Sequence, residues 1–308
     1  MATAADSATL RAGIQRRRRW DLFFSVAGLL VMLVAVLTLV LLFLQLAIDG
    51  LPRLNAEFLT HFPSRFAERA GILSAWVGTL LVMLVTAFVA VPLGVAAGLY
   101  LEEYAPRNWL TDIIEINVTN LAGVPSIIYG LLALGLFVYQ MNLGQSIAAA
   151  GLTLALLIMP IVIVATREAV RAVPLGMREA AYAMGTTKWQ MLAHHIVPYS
   201  AGGIMTGIII GLSRAIGETA PVITIGALTF IAFLPESPFS TTFPFVNFEW
   251  LKAPFTVLPI QMFNWVSRPQ AEFHVNAAAA GLVLIVLTLA MNAAAIMLRQ
   301  RYRKRINW

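Results

Sequence analysis

Arg214 and Glu218 are the only ionisable residues in an apolar run covering residues 200–233. A charge at membrane depth is costly and faces a protein interior or an aqueous path. Four residues separate the two, so on a helix they share one face and can neutralise each other. Two uses are open to such a pair: it can lock a helix bundle, or it can line a path for an oxyanion. Arg suits the second because its guanidinium is always charged and its fork meets two oxygens at once. Ser213, Thr219 and Ser126 are weaker candidates for hydroxyl donors on the same path. Hydroxyl side chains in apolar helices bond mostly to their own backbone or to a neighbouring helix.

A second constellation lies in the longest polar break, residues 167–198. From Arg178 it reads Arg-Glu-Ala-Ala-Tyr-Ala-Met-Gly-Thr-Thr-Lys-Trp-Gln-Met-Leu-Ala-His-His-Ile-Val-Pro, ending at Pro198. Pro174 suits a first helical turn, where its missing N–H is not needed. Glu179 falls in the early turns, where a carboxylate opposes the helix dipole. Ala180 and Ala181 are small and let another surface come close. Gly185 can end the helix in a left-handed conformation. Thr186 or Thr187 can cap a second helix over 188–195, and Pro198 separates the loop from the next span. The product is a short helix–turn–helix across one membrane face, either an inert amphipathic hairpin or a docking surface.

These residues need a membrane scaffold to position them. The chain has 308 residues, 59% hydrophobic and 12% charged, with a mean hydropathy of +0.81. Soluble domains carry about 25% charged residues. Six apolar segments stand out, at 22–48, 73–100, 121–141, 147–165, 200–233 and 276–298. Each is long enough for the roughly 20 residues that a spanning helix needs. The alternation of a membrane β-barrel is absent, so the expected fold is an all-α integral membrane protein with six transmembrane helices. Gly203, Gly207, Gly211 and Ala215 form a small-xxx-small row that permits close helix packing.

The organisation follows from these segments. Residues 1–19 read as a disordered basic tail and 20–48 as a first anchor helix. A five-helix core runs over 71–298, including the loop at 167–198, and 299–308 form a basic tail. Arg16 to Arg19 resemble the start of a secretory signal, but the apolar run is longer than the ~7–15 residues of such a signal. With the N-terminus inside, 15 of the 21 Lys and Arg fall in inner segments and five in outer ones. This asymmetry explains the basic charge as topology and puts both termini in the cytoplasm. The outer loops are 49–71 and 234–275. The second is rich in Pro and aromatics such as Trp250 and Trp265, which suit either the membrane interface or an external partner.

Glu179-Ala-Ala, Gly185 six residues on, then Ile196 and Pro198 resemble the EAA signature of permease subunits of bacterial ABC importers, which have a MetI-like core. Two further blocks, 120–130 (Asn-Leu-Ala-Gly-Val-Pro-Ser-Ile-Ile-Tyr-Gly) and 213–221 (Ser-Arg-Ala-Ile-Gly-Glu-Thr-Ala-Pro), resemble phosphate permeases of the PstA type. Residues 255–261 (Phe-Thr-Val-Leu-Pro-Ile-Gln) look similar too. The resemblance covers about residue 73 to the end. It implies that Glu179, Ala180, Ala181, Gly185 and Pro198 belong to a coupling helix seated on an ATPase subunit. It also implies a PstC-type second permease, a PstB-type ATPase homodimer, a PstS-type extracytoplasmic binding protein and inorganic phosphate as cargo. The membrane would be the bacterial inner membrane.

Under that resemblance Glu218 gains a specific task. An ionised carboxylate only accepts hydrogen bonds. Monohydrogen phosphate can donate one and sulfate cannot, so the pair can favour phosphate. Molybdate or sulfate import is the alternative cargo, and an ion-coupled carrier with Arg214 and Glu218 as a relay is the alternative class.

Enzymatic readings find little support. No Lys follows a Gly, so a phosphate-binding P-loop is missing, and nucleotide hydrolysis is assigned to a partner chain. The chain has no Cys, which excludes thiolate metal sites. His194 and His195 point about 100° apart on a helix, a poor metal pair. No cofactor, metal or nucleic acid is expected on this chain.

Overall fold

The computed structural model describes residues 4–238 and 247–305. All regular structure among them is helical. Helix α1 (Ala4–Gly50) begins earlier than expected, so residues 4–19 are helical rather than disordered. The stretch is Ala-rich and free of Pro, which favours the helix. Residues 1–3 of the expected tail lie outside the described residues.

After α1 the outer loop forms a folded cap. Asn55 caps α2 (Ala56–Thr60), its Oδ1 accepting from Phe58 N at 2.8 Å. Arg53 then pins the cap to the bundle. Its Nε donates to Asn276 Oδ1 at 2.9 Å, and its Nη2 to the carbonyls of Ala67 and Ala70, each at 3.2 Å.

Helix α3 (Leu73–Leu99) crosses back and continues as a π-helical turn, closed by Ala105 N donating to Tyr100 O at 2.8 Å. The expected third span, 121–141, is instead a broken one. Helix α4 (Trp109–Leu121) meets α5 (Ser126–Ala133), which runs on to Gln140, at a bend of 107°. Pro125 explains the break, because it drives the preceding residue out of the helical region.

Helix α6 (Ile147–Arg171) is the centre of the bundle. Its most apolar stretch is 67% buried, against none of α1's. Two short helices follow, α7 (Leu175–Ala183) and α8 (Lys188–Met191). A π-helical turn at Leu192–Ile196 leads directly into α9 (Val197–Ile216). Pro198 therefore does not separate loop from span. It sits in the first turn of α9, where the π turn has already displaced the normal bonding, and Lys188–Ile216 is one continuous apolar helix. The small-residue row faces α6. A Cβ at Gly203 would meet Ala169 Cβ at 2.6 Å, and one at Gly211 would meet Val162 and Ile158 at 3.5–3.6 Å.

The fifth expected span, 200–233, also stops early. Helix α9 ends at Ile216, and α10 (Ala220–Thr224) starts only after a non-helical stretch. Of the second cap, residues 239–246 lie outside the described residues. Its centre is not a surface loop: residues 255–258 and much of α11 (Leu258–Val266) are buried. The segment bonds into the core, with Ile147 N donating to Ala253 O at 3.1 Å and Leu258 N to Thr79 Oγ1 at 3.0 Å. Trp265 packs with Phe58 and Phe273 against α12 (Ala271–Arg305). The expected tail is the last turns of α12, with residues 306–308 outside the described residues.

Candidate functional site

The first site is the hairpin of α7 and α8. Gly185 adopts φ +77°, the left-handed geometry that ends a helix without a Cβ clash. Thr187 and Gln190 form a reciprocal cap, with Thr187 N donating to Gln190 Oε1 at 2.9 Å and Gln190 N donating to Thr187 Oγ1 at 3.3 Å. The structure chooses Thr187 as the cap. Thr186 instead donates to Ala181 O at 2.8 Å and braces the turn.

The hairpin has an inner and an outer face. Ala181 is buried with Val170, Val173, Met191, Leu192 and Ile196. It therefore belongs to the hairpin's own core and offers no outer surface. Glu179 and Ala180 are exposed, with Pro198 half-buried below them. Glu179 is the fifth residue of α7, beyond the turn where the helix dipole acts. Four large apolar side chains stand out from the hairpin: Leu175, Tyr182, Met184 and Trp189. Such a patch on a polar loop marks a contact surface. Sequence reasoning missed these four, although their placement off the apolar face of the hairpin was a usable signal.

The second site lies at the broken end of α9. Arg214 and Glu218 do pair, Nε to Oε1 at 3.3 Å, but not across one helix face. Glu218 lies past the helix end, in the non-helical stretch between α9 and α10. The break sits deep in the bundle, because Gly211, one turn below Arg214, packs on Ile158 and Val162 near the middle of α6. Irregular backbone at that depth is tolerated where it is buried in protein or lines a wet cavity. Arg214 is 40% exposed and Glu218 19%. An exposed guanidinium at this depth must face water or another protein chain.

The remaining candidates divide. Thr219 is half-buried in the break itself. Ser126 opens α5 and is half-buried. Ser213 turns away to α12: its Oγ lies 2.7 Å from both Ile209 O and Asn292 Oδ1. Asn292 was not foreseen, since nothing near it in sequence points to α9.

Three separated blocks converge on this break. A Cβ at Gly130 would lie on Thr224 Oγ1 and 2.7 Å from Pro221 Cα, so α5 and α10 touch there. Glu218 borders a cavity of about 10 Å³ with Thr79 of α3 and Val257. Leu228 N donates to Phe255 O at 3.0 Å. Residues 120–130, 213–221 and 255–261 thus assemble around one discontinuity, a common design for sites inside membrane carriers.

Comparison with known proteins agrees with this architecture. Residues 90–305 match the family model described as binding-protein-dependent transport system inner membrane component. The chain is 30% identical over 291 residues to the phosphate transport system permease protein PstA of Yersinia pestis, covering 93% of each chain. It is 32% identical over 237 residues to PstA 1 of Mycobacterium tuberculosis, covering 77% of this chain and 72% of that one. It is 31% identical over 262 residues to the probable ABC transporter permease YqgI of Bacillus subtilis, covering 83% and 87%. Among solved structures, a bacterial ABC transporter involved in alginate import superposes with a TM-score of 0.63 at 15% identity, covering 94% of this chain and 99% of that one. An inward-facing MetNI methionine ABC transporter gives 0.57 at 17% identity, covering 73% and 93%. These structural likenesses speak for the fold, an all-helical MetI-like permease core.

Proposed function

The chain belongs to the family of binding-protein-dependent transport system inner membrane components, and from that premise we propose that it is the PstA-type permease subunit of an ATP-driven phosphate importer. The observation that carries the cargo is Arg214. It is a permanent cation, exposed at membrane depth, on the break where the three PstA-like blocks meet. Its fork offers two parallel donors to phosphate oxygens. Glu218 accepts the hydrogen bond that a protonated phosphate oxygen donates.

This chain carries no nucleotide chemistry in the proposal. A PstB-type ATPase pair, with ATP and magnesium, docks on the exposed face of α7 and α8 through Leu175, Tyr182, Met184 and Trp189 around Glu179 and Ala180. A PstC-type permease covers the open face of the Arg214 site, and a PstS-type binding protein delivers phosphate to the opposite end. Closure of the ATPase pair swings the two permeases outward to receive it. In the proposal the hairpin and both termini face the cytoplasm of a bacterial cell, a reading that the Lys and Arg distribution supports.

Import of another oxyanion, molybdate or sulfate, is the second reading, since an Arg fork alone accepts any of them. Competition decides. Labelled phosphate uptake into vesicles bearing the complex should resist excess sulfate and molybdate. Uptake that either anion abolishes would assign the cargo to that anion.

A further inference from the structure

Two carboxylates on the π-helical turn after α3, Glu102 and Glu103, join it to the hairpin and to α6. Arg178, on the hairpin's first helix, donates from Nη2 and Nε to Glu103 Oε1 at 2.8 and 3.1 Å. The same guanidinium donates from Nη1 to Val173 O at 2.6 Å and from Nη2 to Val170 O at 3.0 Å. These carbonyls belong to the last turn of α6 and to a residue two positions past its end, where carbonyls have room for further donors. The pair is largely buried, with side chains 16% and 9% exposed. The hairpin's second helix reaches the next residue, with Lys188 Nζ 4.8 Å from the Tyr104 ring centroid.

The neighbouring carboxylate serves other elements. Glu102 takes both donors of Arg171, at 3.0 and 2.9 Å, and lies 3.5 Å from Arg167. Arg167 in turn reaches Glu115 of α4 at 2.7 Å. Consecutive side chains on one π-helical turn therefore hold the hairpin on one side and the spans α6 and α4 on the other. π-helical turns of this kind often mark functional positions.

We propose that Arg178 is a positioning residue that transmits motion of the docking hairpin to α3 through Glu103. The proposal rests on the reading of α7 and α8 as the ATPase-docking surface. Apolar contacts can slide, whereas a nearly buried ion pair, with two Arg178 donors closing on one Glu103 oxygen, resists sliding. Without the link, motion of the hairpin would reach α3 only indirectly, through α6 and the Glu102 pairs.

The test uses the full complex, with its second permease, ATPase and binding protein, in proteoliposomes. The readout is phosphate moved per ATP hydrolysed. Glu103→Ala cuts the link but leaves Arg178 bonded to Val170 and Val173, so the hairpin stays attached to α6. That variant should copurify with the ATPase and hydrolyse ATP, while phosphate moved per ATP falls about tenfold, a usual size for coupling between sites. Glu103→Gln keeps an acceptor without the charge and should fall between. Glu168→Gln, on an exposed pair with Arg171, should match wild type. An unchanged ratio in Glu103→Ala overturns the proposal, and so does loss of the ATPase from that complex, which would make the pair a folding element only. A wild-type complex that hydrolyses ATP without moving phosphate would instead overturn the functional reading.

Discussion

At the scale of residues, the proposed transport turns on Arg214 and Glu218. Arg214→Ala should lower phosphate uptake at least about tenfold with the complex intact, as expected for losing a bidentate donor. Arg214→Lys should recover only part of it, because an ammonium cannot form the parallel pair. Glu218→Gln should leave assembly unchanged and let sulfate inhibit uptake more strongly. Unchanged phosphate uptake and unchanged sulfate inhibition would refute a role for the carboxylate. The pairing was legible in the sequence because two charges four apart in an apolar run must meet. The helix break between them was less so, since Gly217 and Pro221 flank it without fixing where the helix stops. The Ser213–Asn292 contact, across 79 positions, left no local trace.

At the scale of elements, local chemistry was readable and distant contacts were not. Gly185 and Thr187 do what their types and spacing predict, because caps and left-handed turns are set within a few residues. Ala181 took the inner face, and that depends on Met191, Leu192 and Ile196 folding over it. The Arg178–Glu103 and Arg171–Glu102 pairs join positions 75 and 69 apart, so composition alone showed these arginines only as topology signals. Two substitutions probe the elements. Gly185→Ala has room for its Cβ but not the right backbone preference at φ +77°, and should cost roughly 1–2 kcal/mol. Copurified ATPase should fall for Gly185→Ala and hold for Gly185→Asn, since Asn tolerates this conformation. Gly130→Ala would push α5 off α10 and should destabilise by roughly 1–3 kcal/mol through overpacking, seen as a lower melting temperature of the detergent-solubilised complex.

At the scale of the whole molecule, one tightly packed centre supports several unsatisfied surfaces. α6 and its neighbours α3 and α9 form the interior, while the most apolar stretch of α1 is unburied. The all-helical class, and five of the spans with a sixth that is bent, were legible because hydrocarbon thickness and backbone hydrogen bonding leave few choices. The burial of residues 253–266 was not, since their Pro and aromatic content fits a membrane interface equally well. A chain with an exposed arginine at membrane depth and an apolar patch on its polar hairpin is built to work inside a larger assembly. On the proposed function, this assembly moves phosphate by ATP hydrolysis outside this chain. The direct measurement is labelled phosphate uptake by proteoliposomes holding the purified complex and binding protein, with ATP and without any ion gradient. Uptake should require ATP and vanish with an ATPase unable to hydrolyse it. Uptake driven by an ion gradient in the absence of the ATPase would contradict the proposed function.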